Sequence, residues 1–274
     1  MGRNSQRIGR QPGLVGSVLK AIAILHSFDG PHYEQSISEL SQQLGCPKST
    51  THALAKTLVA GGLLEQDPQT GQYSLSPGII ALTRAVRVNV ELRDRAAPIL
   101  RELADACHDS AYLAIREGDH ILYVYAVESP TRLLARTAVG DRAYLHSTSL
   151  GKAILAYLPQ EEVEAILAAT GLPPSTDASI TSKEALFADL QRTRERGYAI
   201  DMQEHESGSY CVGAPIFDAR GRVIAACSVS GRRLQPVEEA LQRWAPRVVH
   251  AADSISRRMG YVPSTPSLVV HQPE

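Results

Sequence analysis

Apolar positions become regular between residues 17 and 60, where they recur every three or four residues in three separate stretches. That spacing places them on one face of an α-helix. The three stripes are Val18, Ala21, Ile22, Leu25 and Phe28, then Ile37, Leu40 and Leu44, then Thr51, Leu54, Ala55 and Leu58. Ser17 is placed to cap the first helix, and Gly45-Cys46-Pro47 supplies a chain reversal between the other two. The pattern therefore predicts three helices, the last two forming a helix-turn-helix.

Residues 61–75 change to a strand pattern. Two short strand-like runs flank a turn that contains Pro68 and Gly71, which predicts a hairpin. Helix, helix-turn-helix and hairpin in this order make up a winged helix, a DNA-binding architecture. Two amphipathic helices around a tight turn also occur in proteins that never touch nucleic acid. The hairpin is the feature that favours the DNA-binding interpretation.

The third helix carries basic residues on the side opposite to its apolar stripe. Lys48, His52 and Lys56 are four residues apart, so they share one face that can reach a duplex. Ser49 and Thr50, near the helix start, offer hydroxyl and main-chain N–H groups of the kind that bind backbone phosphates. The predicted DNA-contacting residues are Lys48, Ser49, Thr50, His52, Ala53, Lys56 and Thr57.

The rest of the chain first continues as a helix and then mixes strands with helices. Pro77 to Cys107 is predicted to be helical, with Ile79, Leu82, Val86 and Val90 on one apolar stripe. Strands are predicted at 111–115, 121–127, 198–202, 211–217 and 222–230, and helices at 149–157, 160–169, 183–196 and 237–259. This order is typical of an α+β domain.

A candidate anion site lies where the predicted helix 149–157 begins. Ser147, Ser149 and Gly151 place small hydroxyl residues beside the unpaired N–H groups of a helix start, which favours a carboxylate or another anion. The segment is not a P-loop, because His146 and Ala153 stand where that motif needs Gly and Ser or Thr. The alternative is an ordinary capped helix with no ligand.

Two strands carry polar residues with matching alternation. Cys211 on one strand and Ser228 and Ser230 on the other can line one cavity.

An enzyme or a metal-binding protein is the alternative, since Cys211, His146 and Asp201 are residue types used in nucleophilic or metal chemistry, and Glu204 and His205 lie close by. Neither a G-x-S-x-G nor an H-E-x-x-H pattern occurs. We therefore expect no catalytic residue, no cofactor and no metal.

Composition limits the partners. The 274 residues carry a net charge of −1 and a pI near 6.8, so any charge that attracts DNA must be local, and a strongly basic DNA-packaging protein is disfavoured. The four cysteines lack the paired close spacing of a zinc finger or a disulfide framework. No apolar run approaches the roughly 20 residues of a membrane span, and no signal peptide is evident. We expect a cytoplasmic protein without a membrane partner.

The sequence resembles the IclR family of bacterial transcription regulators. SISELSQQLGCPKSTTHALAKTLVAGGLLEQDPQTGQYSLSPG is similar to the amino-terminal domain of that family. LHSTSLGKAILAYLP, ERGYAIDMQEHESGSYCVGAPIFD and AACSVSG are similar to its effector-binding domain. The chain departs from the family at Ala53, where Arg is usual, and at Ser209 and Tyr210, where an apolar residue and Arg are common.

The resemblance implies a DNA-binding transcriptional regulator, such as a repressor, whose operator affinity or promoter activity is controlled by a small organic effector that bears a carboxylate. It implies a homodimer, or a dimer of dimers, on double-stranded operator DNA. The implied effector residues are Leu133, Ala135, Ser147, Ser149, Gly151, Cys211, Ser228 and Ser230. The predicted organisation is a flexible basic leader (1–16), a winged helix-turn-helix (17–76), a linker helix (77–108), a GAF-like α/β effector-binding domain (109–260) and a disordered tail (261–274).

Overall fold

The computed structural model of the protein describes residues 13–28, 32–83, 90–128, 139–232 and 237–262. The chain divides into two compact units, Met1–Val88 and Asn89–Glu274. No helix in these described ranges is both long enough and apolar enough to cross a membrane. The basic leader up to residue 12 and the tail from residue 263 lie outside the described residues.

The first unit is a winged helix. Its elements are α1 (Gly16–Leu25), α2 (Ile37–Leu44), α3 (Lys48–Ala60), β1 (Leu64–Gln66), β2 (Tyr73–Leu75) and α4 (Gly78–Thr83). A capping box fixes the start of α2: the Ser36 hydroxyl accepts the N–H of Glu39, and the Glu39 carboxylate accepts the N–H of Ser36. Gly45 ends α2 at a φ of 61°, a conformation that glycine adopts without strain. The helix-turn-helix thus forms as the sequence predicts.

The wing is a two-stranded hairpin. β1 and β2 pair antiparallel, and Gln35 adds an isolated bridge to Tyr73. Asp67 accepts the N–H groups of Gln69 and Thr70 and so orders the turn between the strands. The core of the unit consists of Ile24, Leu40, Ala55, Leu58, Leu64 and Tyr73.

The prediction for the first helix is wrong in two details. α1 begins at Gly16 after Val15, so Ser17 is already inside the helix and does not cap it. Val18 and Ile22, from the predicted apolar stripe, are 54% and 44% exposed, whereas Ile24 is fully buried. The helix is therefore rotated relative to the orientation that the sequence pattern predicts, and some of its apolar residues face solvent.

The second unit is built around one antiparallel sheet. Its strands are β3 (Ser110–Glu117), β4 (His120–Val127), β5 (Arg142–Tyr144), β6 (Ala199–Met202), β7 (Ser209–Phe217) and β8 (Val223–Arg232). Their order in the sheet is β5-β4-β3-β8-β7-β6. Its helices are α5 (Val90–Cys107), α6 (Ser149–Leu155), α7 (Gln160–Thr170), α8 (Lys183–Arg196) and α9 (Val237–Arg258).

Helices cover both faces of this sheet. α5 and α9 pack on one face around Trp244, Leu100 and Val229. α6, α7 and α8 pack on the other face around Leu150, Ile166 and Leu190. The α+β class agrees with the sequence prediction.

The segment predicted as one linker helix, 77–108, divides differently in the structure. It contains α4 and α5, and the residues between them, 84–89, lie outside the described ranges together with Val86. Leu92, Ala96 and Leu103 of α5 belong to the core of the second unit. α5 is therefore part of that unit, whose boundary falls after Val88 rather than after residue 108. Periodicity alone does not distinguish a linker helix from a helix packed on its own domain.

Candidate functional site

The exposed side of α3 carries every predicted DNA-contacting residue. Thr51, Ala55 and Leu58 are buried in the core, which leaves the opposite side to solvent. That exposed side holds Lys48, Ser49, Thr50, His52, Ala53, Lys56 and Thr57. Pro47 occupies the N-cap and provides no side-chain acceptor for the first main-chain N–H groups, so these can bind an external anion.

A second candidate site is a cavity on the sheet face that α6, α7 and α8 cover. Its floor follows from strand register, because residues paired across adjacent strands lie on the same face and alternate residues share that face. One row crosses β6, β7 and β8, and the next crosses β7, β8 and β3. The first row consists of Asp201, Cys211 and Ser230. The second row consists of Gly213, Ser228 and Tyr112.

Gly213 allows the start of α6 to lie directly on this floor. A Cβ atom at residue 213 would lie 2.8 Å from the main-chain carbon and oxygen of Ser149, so a larger residue would push the helix away. Thr148 caps α6, its Oγ1 accepting the N–H of Gly151 at 3.0 Å. The two preceding N–H groups, those of Ser149 and Leu150, have no intrahelical acceptor. Both residues line the cavity.

The cavity has about 30 Å³ of room for water-sized molecules. Its lining residues are Tyr112, Tyr123, Thr148, Ser149, Leu150, Asp201, His205, Glu206, Ser209, Cys211, Ser228 and Ser230. The structure thus brings together Ser149, Cys211, Ser228 and Ser230 of the predicted effector residues. Their role in binding an effector remains a prediction.

Other predicted effector residues do not line this cavity. Ser147 is fully buried and is not a lining residue. Gly151 packs on the main chain of Leu145, where a Cβ atom would overlap the carbonyl oxygen, and its N–H is bonded to Thr148. Gly151 therefore permits close packing of α6 and does not line this cavity. Leu133 and Ala135 lie outside the described residues.

Several lining residues were not predicted from the sequence. Ser209 alternates with Cys211 on β7, and its Oγ lies 3.2 Å from Oγ of Ser230. Tyr112 and Tyr123 come from neighbouring strands, and their rings meet edge to face. The alternation along each strand contains this signal, but only the pairing of distant strands shows that these faces meet.

One turn along α6 from Ser149, the ammonium group of Lys152 is buried between two carboxylates. Its Nζ lies 2.8 Å from Oδ2 of Asp189 and 2.6 Å from Oε1 of Glu204. Burial raises the pKa of Glu204, although Lys152 acts in the opposite direction. Burial also acts to raise the pKa of Asp189, but there Lys152 and Arg196 outweigh it and the pKa is lowered. This ion cluster joins α6, α8 and the segment that follows β6.

Asp201 is a buried acid at the cavity wall and only 2% exposed. Its Oδ1 accepts the main-chain N–H groups of Glu204 at 2.7 Å and His205 at 3.4 Å. Burial raises the pKa of Asp201 to about 7, nearby Glu204 adds to the rise, and Lys152 partly offsets it. Burial lowers the pKa of His205, so its imidazole is neutral near pH 7.

Of the residues named for the enzyme alternative, Cys211, Asp201 and His205 line this cavity, whereas His146 and Glu204 do not. Nε2 of His146 lies 3.2 Å from the carbonyl oxygen of Pro173. Within the described ranges, no group of three or more His, Cys, Asp and Glu residues is placed to hold a metal ion.

Comparisons with known proteins cover both units. The family model described as IclR helix-turn-helix domain matches residues 17–68, and that of the bacterial transcriptional regulator IclR C-terminal domain matches residues 84–257. The regulator KdgR of Escherichia coli K12 is 36% identical over 254 residues, which is 93% of this chain and 96% of KdgR. The repressor AllR of the same strain is 31% identical over 241 residues, 88% of this chain and 89% of AllR.

A solved structure shows the same fold. The crystal structure of Thermotoga maritima IclR superposes with a TM-score of 0.75 at 28% identity, covering 89% of this chain and 99% of that one. The match therefore extends over both units.

Proposed function

The chain belongs to the IclR family of bacterial transcriptional regulators, and from this premise we propose how it binds DNA and which effector it senses. It binds operator DNA through the exposed side of α3, as a homodimer or a dimer of dimers. A small organic acid, bound in the cavity between α6 and the sheet, controls its operator affinity or promoter activity. The observation that carries this proposal is the seven-residue exposed face of α3 on a chain that also contains a hydroxyl-lined cavity.

The α3 face supplies contacts of two kinds. Lys48 and Lys56 are exposed cations that can neutralise backbone phosphates, while Ser49 and Thr50 add hydroxyl and N–H donors. His52 can donate to a base edge or a phosphate. Ala53 presents only a methyl group, which can touch a thymine methyl but cannot form a hydrogen bond to a base.

Exposed apolar residues in the first unit support a dimer. Leu14, Val18 and Ile22 are four residues apart and exposed, so they form one stripe on and just before α1. Ile80 and Leu82 of α4 are exposed as well. Clustered apolar residues on a surface are typical of protein interfaces. A dimer also presents two reading helices to paired half-sites.

The cavity suits a small, polar effector. Ser149, Ser209, Ser228 and Ser230 place four hydroxyl groups at its wall. A hydroxyl can donate to a carboxylate, although the bond between Ser209 and Ser230 uses one of the protons of that pair. Ser149 and Leu150 line the same cavity, and their main-chain N–H groups, which have no intrahelical acceptor, can supply further donors. The volume of about 30 Å³ favours a small acid.

To test the proposed DNA binding, the full-length chain is first used to capture fragments from genomic DNA of the source organism. Fluorescence anisotropy then measures their affinity over a range of salt concentrations. Lys48→Ala and Lys56→Ala should each weaken binding and lower the slope of log affinity against log salt by roughly 0.9 per lost phosphate contact. Lys183→Ala is the matched control, since Lys183 is an exposed lysine of the second unit. Unchanged affinity and slope in both α3 variants would reject this face as the DNA surface.

The effector part is tested by a thermal-shift screen of small organic acids. An acid present at about 100 times its dissociation constant should add roughly 2.7 kcal/mol of apparent stability. An acid that raises the melting temperature but leaves the affinity for the captured DNA unchanged would be a ligand without a regulatory role.

A further inference from the structure

Among the described residues, Asp201 differs from the acids around it in having no cation at contact distance. Within the described residues, the Nζ of Lys152 contacts Asp189 and Glu204, whereas the Asp201 hydrogen bonds come from main-chain N–H groups. Both of these donors bond to Oδ1, so a proton on this carboxyl group belongs on Oδ2. An acid that is buried without a paired cation favours its neutral form.

Asp201 also shares a very small space with the proposed effector. It lines the same cavity as Ser149, Ser228 and Ser230, and that cavity offers about 30 Å³ to water-sized molecules. An effector carboxylate bonded to those hydroxyls would therefore lie within a few ångströms of Asp201. Two buried carboxylates at such a distance do not both ionise, and one proton remains between them.

The neighbours of Asp201 do not remove this conflict. Glu206, on the segment after β6, is an acid paired with Arg232. On β7 the partner of Asp201 is Cys211, and on β3 and β4 the cavity is lined by Tyr112 and Tyr123.

The remaining charged groups lie on α6, α8 and the same segment after β6. Among the described residues they include Lys152, whose ammonium group contacts Asp189 and Glu204, and Arg192 and Arg196, which contact Asp189 at 3.1 Å and 3.9 Å. His205 is neutral near pH 7 because burial lowers its pKa. Glu204 acts as a further negative charge on Asp201.

We propose that Asp201 is the specificity-determining residue of this cavity and that the cavity takes a carboxylate effector only together with one proton, which Asp201 holds against the effector's carboxylate. The proposal rests on the proposed function, since it assumes that the effector is an organic acid. The proton comes from solvent and is released when the effector leaves. Effector binding is then linked to pH.

The sign of this linkage follows from the free protein. Below a pH of about 7, where the pKa of Asp201 lies, the carboxyl is already protonated and affinity for an anionic acid is constant. Above that pH each binding event must take up a proton, so affinity falls about tenfold per pH unit. Between pH 6 and pH 8.5 the expected loss is about 30-fold.

Acetate and acetamide are the probes, because they have nearly the same shape and differ in charge. Each is titrated into the full-length chain at pH 6 and pH 8.5, and binding is followed by the NMR shifts of the main-chain amides that line the cavity. Acetate should bind about 30-fold more weakly at the higher pH. Acetamide should not show this loss, since it brings no charge.

Asp201→Asn mimics the protonated acid, because its amide donates to the carboxylate and its oxygen still accepts the two main-chain N–H groups. In this variant acetate affinity should change less than about threefold over the same range. Asp177→Asn is the matched control, as Asp177 is an exposed acid of the same unit outside the cavity lining. The comparison of acetate with acetamide in the unmodified chain stays informative if Asp201→Asn does not fold.

The acetate titrations distinguish the proposal from its alternatives. Equal acetate affinity at both pH values would overturn the proposal, as would a 30-fold loss that persists in Asp201→Asn, which would assign the proton to another group such as Glu204. Tighter acetate binding at pH 8.5 would also overturn it, because acetate has no donor to offer an ionised Asp201. Absence of acetate binding at either pH, in both chains, rejects the carboxylate site. If another compound still shifts the melting temperature and the DNA affinity, the regulatory function survives that rejection.

Discussion

The buried ammonium group of Lys152 joins the two carboxylates of the ion cluster in the second unit, and among the described residues it is the cation in contact with Glu204. Its side chain is 1% exposed, and it contacts both Asp189 and Glu204. Removing a buried ion from water costs several kcal/mol, so each member of such a cluster is stable only while its partners remain. Because the cluster ties α6 and α8 to the segment after β6, it also holds Asp201 and His205 at the cavity.

We predict that Lys152→Met destabilises the protein by about 3–5 kcal/mol, because buried Glu204 loses its cation and Asp189 keeps only Arg192 and Arg196 as partners. Without Lys152, the folded-state pKa of Glu204, which burial already raises, should rise further above the unfolded value. Stability is then lost as pH rises through that window, so the difference from the unmodified chain should be larger near pH 8 than near pH 5. Urea unfolding at both pH values measures it, with Lys183→Met as an exposed control. The same loss at both pH values would contradict this electrostatic explanation.

Single residues also show where sequence reasoning stops. Lys48, His52 and Lys56 were predictable because one helical repeat places them on one face, and α3 exposes all three. Lys152 was not, since a lone lysine in a short amphipathic helix is usually solvated, and its acidic partners are 37 and 52 residues away in the chain. Asp201 reaches the cavity only through the pairing of β6 with β7. Contacts set by long-range pairing leave little local signal.

Among the elements, α6 is the one whose position the cavity requires. It is a short helix with all seven residues buried, and it rests on β7 at Gly213 and on Leu145 at Gly151. The bounds of α6 were predictable from periodicity to within two residues. The need for glycine at residue 213 was not predictable, because a glycine inside a strand has several explanations. The close approach of helix to sheet supplies the explanation here.

We predict that Gly213→Ala shifts α6 away from the sheet, since the new Cβ atom would lie 2.8 Å from the main chain of Ser149. Overpacking of this kind costs about 1–3 kcal/mol, and it should also weaken acid binding because the lining residues move. Thermal unfolding and the acid titration measure the two effects. Gly16→Ala is the matched control, as a Cβ atom there meets nothing within 4 Å. Unchanged stability and unchanged acid binding would show that α6 adjusts without affecting the cavity.

At the level of the whole molecule, the two units are joined in sequence only through the segment from α4 to α5. α5 belongs to the core of the second unit, while α4 belongs to the first. A change in the second unit can reach α3 through this segment or, in the proposed dimer, through subunit contacts. The two reading helices of that dimer must keep a fixed separation to engage two half-sites, so a small change in the angle of the segment is enough to misplace one of them.

We predict that effector and operator are coupled through this segment. Such a coupling is a free energy of about 1–3 kcal/mol and is reciprocal: if the effector changes operator affinity roughly 30-fold, operator must change effector affinity by the same factor. This holds whether the protein represses or activates, since the sign of the coupling gives only its direction. The measurement is an effector titration with and without operator, using the acid that gives the largest thermal shift. Equal effector affinity in both titrations would mean that this acid does not switch the protein.

The route of the coupling is tested by inserting a flexible Gly-Gly pair next to Val86. If the segment transmits the change, the insertion should reduce the 30-fold factor toward one while effector affinity without operator stays nearly the same, because the cavity residues are all in the second unit. The same pair inserted after Gly118, in the turn between β3 and β4, is the control for added flexibility elsewhere. A large coupling that survives the insertion at Val86 would place the route in subunit contacts, because a flexible joint transmits no angle.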